Sequence, residues 1–300
     1  MRVFAIGATG VLGRELVPRL VARGHQVAVM SPGGRQAALP PGVDRVRGSL
    51  LDPDAGELLA ARVRGFDVVV NTATAIPRDF AAKDAWAENS RVRVEGTRVV
   101  AGAVSAAGVP ALVQLSVTMA YPDGGERLLR ETEPLDACAA RAAIAAPVAD
   151  LEATVRALPV ERVAWTVLRA ARFVGPGTVQ DRQRADLRAG TVRVAGNGRE
   201  FVSMVHVADF ADAVVAAVER PARGLVLNVS DEPVRNGAYL ARLAALDGVP
   251  GPVLSPGLRA DAVSHRVCSA AARQALGWRP VRGIWPSDGA AARGIFCSGR

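Results

Sequence analysis

Seven residues near the start of the chain, Gly7-Ala8-Thr9-Gly10-Val11-Leu12-Gly13, place three glycines at intervals of three. That spacing suits a backbone turn around a diphosphate. Gly7 allows a tight exit from a strand, Gly10 lets the main chain approach the phosphates without a Cβ, and Gly13 lets the following helix pack closely. The first turn of that helix then offers unpaired N–H groups and the positive end of its dipole to the anion. The same glycines can also be simple helix-packing residues, so the context decides. Arg2 to Ile6 is a short, mostly apolar run, and Val11 to Ala22 carries Leu12, Leu16 and Leu20 at helical spacing. With a strand before and a helix after, Gly7, Thr9, Gly10, Val11, Leu12 and Gly13 are read as the cradle of a dinucleotide.

The elements needed to hold such a loop follow along the chain. Strands are expected at His25 to Met30, Val43 to Arg47, Phe66 to Asn71, Ala111 to Ser116 and Val163 to Leu168. Helices are expected at Ala55 to Val63, Ala82 to Ala107, Pro147 to Ala157 and Val207 to Val218. This alternation predicts an α/β fold: a Rossmann-type, doubly wound parallel sheet with helices on both faces. Gly175-Pro176-Gly177 marks an exit to a smaller C-terminal lobe. The expected division is residues 1–171 for the dinucleotide-binding domain, with 201–220 interleaved, and 172–300 for a substrate lobe. The tail after Pro286 is rich in Gly, Ala and Ser, and is expected to be poorly ordered.

Composition narrows the function. Half of the 300 residues are hydrophobic, ample for a large core, yet no apolar run reaches the ~20 residues of a membrane span. The net charge of +8 comes from arginines spread along the chain, without a basic tail, so a nucleic-acid partner is not expected. Cys138, Cys268 and Cys297 are odd in number and far apart, and His25, His206 and His265 are scattered. Neither set has disulfide or metal-ligand spacing. No signal peptide is read at the N-terminus, and a reducing cytoplasm is the expected compartment.

The Gly-x-x-Gly-x-x-Gly loop with Thr9 resembles the extended short-chain dehydrogenase/reductase family, which includes the NAD-dependent epimerases and dehydratases. Further stretches are similar: Arg91 to Gly108 to the family's central helix, Leu112 to Tyr121 to its active-site strand, and Thr166 to Gly177 to its sixth strand and exit loop. Phe201 to Val214 and Leu276 to Pro280 resemble its late strand, late helix and C-terminal signature. The resemblance implies that Ser49 and Leu50 lie by the adenine and that Thr72, Ala73 and Thr74 lie by the cofactor ribose; Ser116 is read as hydrogen-bonding near the nicotinamide or simply ending its strand. The resemblance also implies a homodimer.

An acid at the end of the second strand would bind the NAD ribose hydroxyls, but Met30 and Ser31 stand there. Arg14 and Arg35 can instead pair with a 2′-phosphate, which favours NADP, with NAD the alternative. The family's catalytic groups are a Ser/Thr, a Tyr and a Lys four residues after that Tyr. Lys83 is the chain's only lysine, and four residues after its two tyrosines, Tyr121 and Tyr239, stand Gly125 and Leu243. Counting from Glu152 places Ile144 and Val148 at the Tyr and Lys positions, and Val117 falls at the Ser/Thr position. Thr118 and Tyr121, at the C-terminal end of the fifth strand, are the candidate substitutes. Arg169 and Arg172 can bind an anionic or carbonyl oxygen; Lys83, Asp123, Glu126 and Glu131 are read as solvated, and His206 as structural. The expected activity is an NAD(P)-dependent oxidoreductase or epimerase-like reaction on a small metabolite with a non-standard site. The alternatives are a redox-neutral cyclase, isomerase or dehydratase, and a non-catalytic NADP(H) sensor.

Overall fold

The computed structural model describes residues 1–33, 39–77, 79, 82, 84–257 and 263–286. Seven strands form one parallel sheet: β1 (Arg2–Ile6), β2 (Gln26–Ser31), β3 (Asp44–Arg47), β4 (Val68–Asn71), β5 (Ala111–Val117), β6 (Ala164–Ala170) and β7 (Leu225–Val229). Their order is β7-β6-β5-β4-β1-β2-β3. The direction of winding reverses between β1 and β4, and ligands of open α/β sheets bind in the crevice at such a switch point.

Period-two alternation sorts the strand residues onto two faces. Val3, Ala5, Val68, Val70, Val113 and Leu115 pack against α1 (Val11–Ala22) and a later helix, Val207–Glu219. Phe4, Ile6, Val69, Leu112 and Val167 pack on the other face. That face is covered by α2 (Ala55–Val63) and by a long rod, α3, built from Ala87–Arg91, a π-helical turn at Val92–Gly96, and Thr97–Ala107. It is completed by α4 (Ala142–Arg156). Helix α4 begins five residues before the Pro147 at which it is expected to start. Pro147 is the sixth residue of that helix, inside it rather than at its start, so the helix forgoes one i→i−4 hydrogen bond there.

The chain crosses the expected boundary at 172 more than once. Short strands at Arg172–Val174 and Met204–His206 pair, and α5 (Val179–Arg188) lies between them in sequence. Helix α6 (Val207–Glu219) returns to pack on α1, and β7 then joins the sheet edge beside β6. A separate apolar cluster around Val194, Met204, Tyr239 and Leu243 forms the lobe's own core, with α7 (Asn236–Leu246). Within the expected lobe, therefore, Leu225–Val229 is part of the central sheet, a strand that the sequence reading leaves unassigned. Its run Leu-Val-Leu-Asn-Val is short and has a polar residue inside.

His265 fastens the lobe to the sheet. Its buried Nε2 donates to the Tyr121 carbonyl at 2.9 Å, while its own backbone N–H donates to Phe201 O. Burial pushes the imidazole pKa down to about 4, because the charged form is poorly solvated there. The unfolded chain therefore binds this proton at a higher pH than the folded one does, and folding stability is lost as pH falls from the unfolded value toward 4. The shift corresponds to about 3 kcal/mol. Urea midpoints should be flat above pH 7 and fall between pH 6.5 and 4, and His265→Asn should flatten that fall; identical midpoints at pH 7.5 and 5 would contradict this account of His265.

Candidate active site

Gly7 leaves β1 at φ +82°, and a Cβ there would stand 2.7 Å from the backbone of Thr72 and Ala73. The Thr72 hydroxyl donates to Ile6 O at 2.8 Å, so the ends of β1 and β4 are laced together at this point. A Cβ on Gly13 would lie 2.0 Å from Ala8 O, inside any tolerable contact. Gly10 is different. Its φ is −78°, and its nearest neighbour to a built Cβ is Gly7 O at 3.5 Å, an ordinary contact. The fold alone thus requires glycine at 7 and 13 but not at 10, where absence of a side chain serves whatever approaches the loop. Gly10 caps α1 without a side-chain hydrogen bond, so the helix end keeps its donors. This is a fit to a diphosphate. Leu12 is 6 % exposed and belongs to the core, so of the predicted loop residues it offers only its backbone.

Around this loop the other expected cofactor residues gather. Asn89 of α3 accepts from Ala75 N at 3.1 Å and Asn71 from Ala73 N at 3.2 Å, fixing the stretch that carries Thr72, Ala73 and the exposed Thr74. Leu50 is buried against Gly96 in the π turn, where a Cβ would meet it at 3.0 Å. Ser31 ends β2, nearly buried, opposite Arg47 of β3. Arg47 is exposed, and its Nε lies 3.1 Å from where a Cβ on Gly33 would sit. The sequence reading passes over Arg47 because it looks for a cation in the loop after β2, whereas strand pairing supplies one from the neighbouring strand. Arg14 is exposed and leans toward the exit loop, with Nη2 3.2 Å from a Cβ built on Gly177. Arg35 lies outside the described residues, as does Lys83.

The place of the family's acid–base groups is aliphatic. Val148 is 1 % exposed and clusters with Ala120 and Ala145, with Val117 packed beside them. Ile144 is 41 % exposed. The candidate substitutes are not free either. Ser116, Arg169 and Asn228 stand side by side on β5, β6 and β7. Glu152 of α4 takes both Arg169 Nε and Nη2 at 2.7 Å and accepts the Ser116 hydroxyl at 2.7 Å. The Tyr121 hydroxyl accepts from Arg169 Nη1 and stands 3.0 Å from both Asn228 Oδ1 and Arg130 O, one of which takes its proton. All these side chains are buried, and Tyr121 is 0 % exposed. Burial raises the Tyr121 pKa above its ordinary value despite the Arg169 charge. Burial alone would lower the Arg169 pKa; hydrogen bonding and charge from Glu152 more than reverse this.

This placement does not fit the expectation that Tyr121 donates a proton in the cleft, nor that the Ser116 hydroxyl meets the nicotinamide. Thr118, 2 % exposed, lies in a 3-10 turn directly after β5. His206 is a helix cap, its Nδ1 accepting from Ala208 N. Besides the exposed Arg14 and Arg47, two arginines withdrawn from solvent make no side-chain hydrogen bond or ion pair with any described residue: Arg172, which follows β6, and Arg93, in the π turn of α3. The sequence reading names the first and misses the second, since one arginine in an Arg-rich helix carries no signal.

With this geometry established, comparison with known proteins defines the class. Residues 3–230 match the family described as "NAD dependent epimerase/dehydratase family". A "3-diazoavenalumate denitrifying reductase" of Streptomyces sp is 35% identical over 95% of this chain and 98% of its own length. A "2-alkyl-3-oxoalkanoate reductase" of Stenotrophomonas maltophilia is 30% identical over 75% of this chain and 67% of its own. The UDP-glucose 4-epimerase structure from Thermotoga maritima superposes with a TM-score of 0.80 over 95% of both chains, at 20% identity. The chain belongs to the NAD-dependent epimerase/dehydratase family, and its activity is of the oxidoreductase or epimerase type on a small metabolite.

The glycines give a direct test. Gly10→Ala should leave thermal unfolding within about 1 kcal/mol of native, the scale of a helix-cap change, while weakening NAD(P)H binding at least about tenfold, as a Cβ enters the diphosphate's space. Gly13→Ala should lower the unfolding temperature itself. Native-like cofactor titration of Gly10→Ala would show that the loop does not hold a diphosphate.

Proposed function

We propose that this enzyme is an NADP(H)-dependent reductase that acts on an electrophile needing no protein proton: an aromatic carboxylate bearing a diazo or diazonium group. The observation that carries this reading is the aliphatic set Val117, Ile144 and Val148 where the family's acid–base groups belong, together with the engaged hydroxyls of Ser116 and Tyr121. Reducing a carbonyl leaves an alkoxide that must be protonated, and a positioned donor typically contributes ~10²–10⁴-fold. An arenediazonium carbon is already electron-poor. Bound at that loop, NADPH would supply the hydride for a new C–H bond, and the C–N bond would break with its pair leaving in N2, so charge would balance without a proton from the protein.

The chain's residues bind and orient. The loop Gly7 to Gly13 holds the diphosphate at the α1 N-terminus. Arg47, with Ser31 in place of an acid, favours a 2′-phosphate over free ribose hydroxyls, and Arg14 adds charge on the exit-loop side. The apolar wall of Val117 and Val148 excludes water from the reacting atoms. A relative named for denitrification of a diazo carboxylate, similar along nearly its whole length, supports this substrate class. The compartment that fits is the cytoplasm, where Cys138 and Cys268 remain free thiols. The Ala-rich, largely exposed start of α4 fits a homodimer contact.

With 4-carboxybenzenediazonium as substrate and NADPH deuterated at the transferring position, one N2 should appear per NADPH consumed, above the protein-free rate, with deuterium on the ring carbon. Deuterium drawn instead from D2O, or oxidation of NADPH without N2, would overturn the reading. Tyr121→Phe should change turnover less than about threefold, since its hydroxyl holds structure rather than a reacting proton; a loss of two orders of magnitude with native-like stability would return Tyr121 to the chemistry.

A further inference from the structure

Arg93 is 8 % exposed, yet among the described residues no carboxylate pairs with it and its guanidinium donates no hydrogen bond. The nearest acid in sequence, Glu95, is exposed and pairs with Arg91. Buried charges are paired, because leaving water costs several kcal/mol that only a counter-charge repays. Here burial pushes the pKa down to about 10, which still leaves the group cationic at neutral pH.

A second observation lies one turn on. The Thr97 hydroxyl is fully buried and has no hydrogen-bond partner among the described residues. Asn89, Arg93 and Gly96 follow at roughly helical spacing, on one side of α3. Asn89 grips the loop after β4, and Gly96 accommodates Leu50 from the loop after β3. Arg93 therefore sits between the two contacts that α3 makes with the rim of the cleft. The π turn carrying it also packs against α4, whose cleft-side positions Ile144 and Val148 hold no charge.

We propose that Arg93, assisted by the Thr97 hydroxyl, is the anion-binding residue for the substrate, taking its carboxylate. The guanidinium supplies a two-pronged donor matched to two carboxylate oxygens, and the arriving anion provides the counter-charge that the protein withholds. This makes Arg93 a specificity-determining residue. It rests on the reductase reading for the identity of the substrate, but not for the existence of the site.

The test uses the full chain saturated with NADP+ and two unreactive probes, cinnamate and its neutral analogue cinnamamide, titrated by calorimetry. Cinnamate should bind at least about tenfold more tightly than the amide, the scale of a charge-assisted hydrogen-bond pair. Arg93→Met should erase that preference while leaving NADP+ affinity unchanged, and Arg93→Lys should restore part of it. Because the native guanidinium is uncompensated, Arg93→Met should also unfold at the same or a higher temperature than the native ligand-free chain. Equal binding of the two probes by the native protein, a fall in NADP+ affinity in Arg93→Met, or a lowered unfolding temperature in that variant would each overturn the proposal. These readouts are affinities and stability, so a failed diazonium assay with the carboxylate preference intact would sink the reductase reading alone.

Discussion

The buried pair Glu152–Arg169 governs what this site can do. Both side chains are within 3 % of full burial, and two parallel hydrogen bonds join them. A pair of this kind is costly to break, about 3–5 kcal/mol when one partner is removed, since the other charge is then stranded. Glu152 also accepts from the Ser116 hydroxyl and, at 3.4 Å, from Arg156, and Arg169 donates in turn to the Tyr121 hydroxyl. The two hydroxyl groups that the active-site strand and its following turn bring closest to the expected chemistry are thus committed to holding α4, β5, β6 and β7 in register. What faces the cleft beside α4 is aliphatic.

That commitment turns a missing catalytic set into a chemical statement. A dinucleotide cradle without an acid suits a substrate whose reduced form needs no proton at the reacting atom. The sensitivity of the outcome to geometry is high: hydride transfer depends on near-contact alignment, and the rigidity supplied by the ion pair and by Asn89 gripping the loop after β4 serves that alignment. Arg93 and Arg172, withdrawn from solvent, have no side-chain partner among the described residues, so the fold does not account for their charge.

Much of this was legible beforehand, for identifiable reasons. Three glycines between an apolar run and a periodic helix mark the strand–loop–helix unit, and β1, α1 and α2 fall where their spacing puts them. The absence of Tyr-x-x-x-Lys follows from a single lysine and needs no structure. The rest depended on contacts between distant segments. Pairing of β2 with β3 brings Arg47 to Ser31, and no local pattern announces it. Tyr121 reads as a candidate donor because its position in sequence is right; only the arrival of Arg169 and Asn228 from two other strands reveals a filled hydroxyl. Strand β7 was hidden by the polar Asn228 that this same network requires. The π turn at Val92–Gly96 has a sequence equally compatible with ordinary helix.

The central claim is that hydride transfer here proceeds without a proton in flight. It is tested most directly by single-turnover oxidation of NADPH by the enzyme–diazonium complex, measured in H2O and in D2O across neutral pH. The account predicts a solvent isotope effect of about 1 and a rate independent of pH, because no general acid takes part. A solvent isotope effect of about 2 or more, with a rate that titrates on a single protein group, would contradict it.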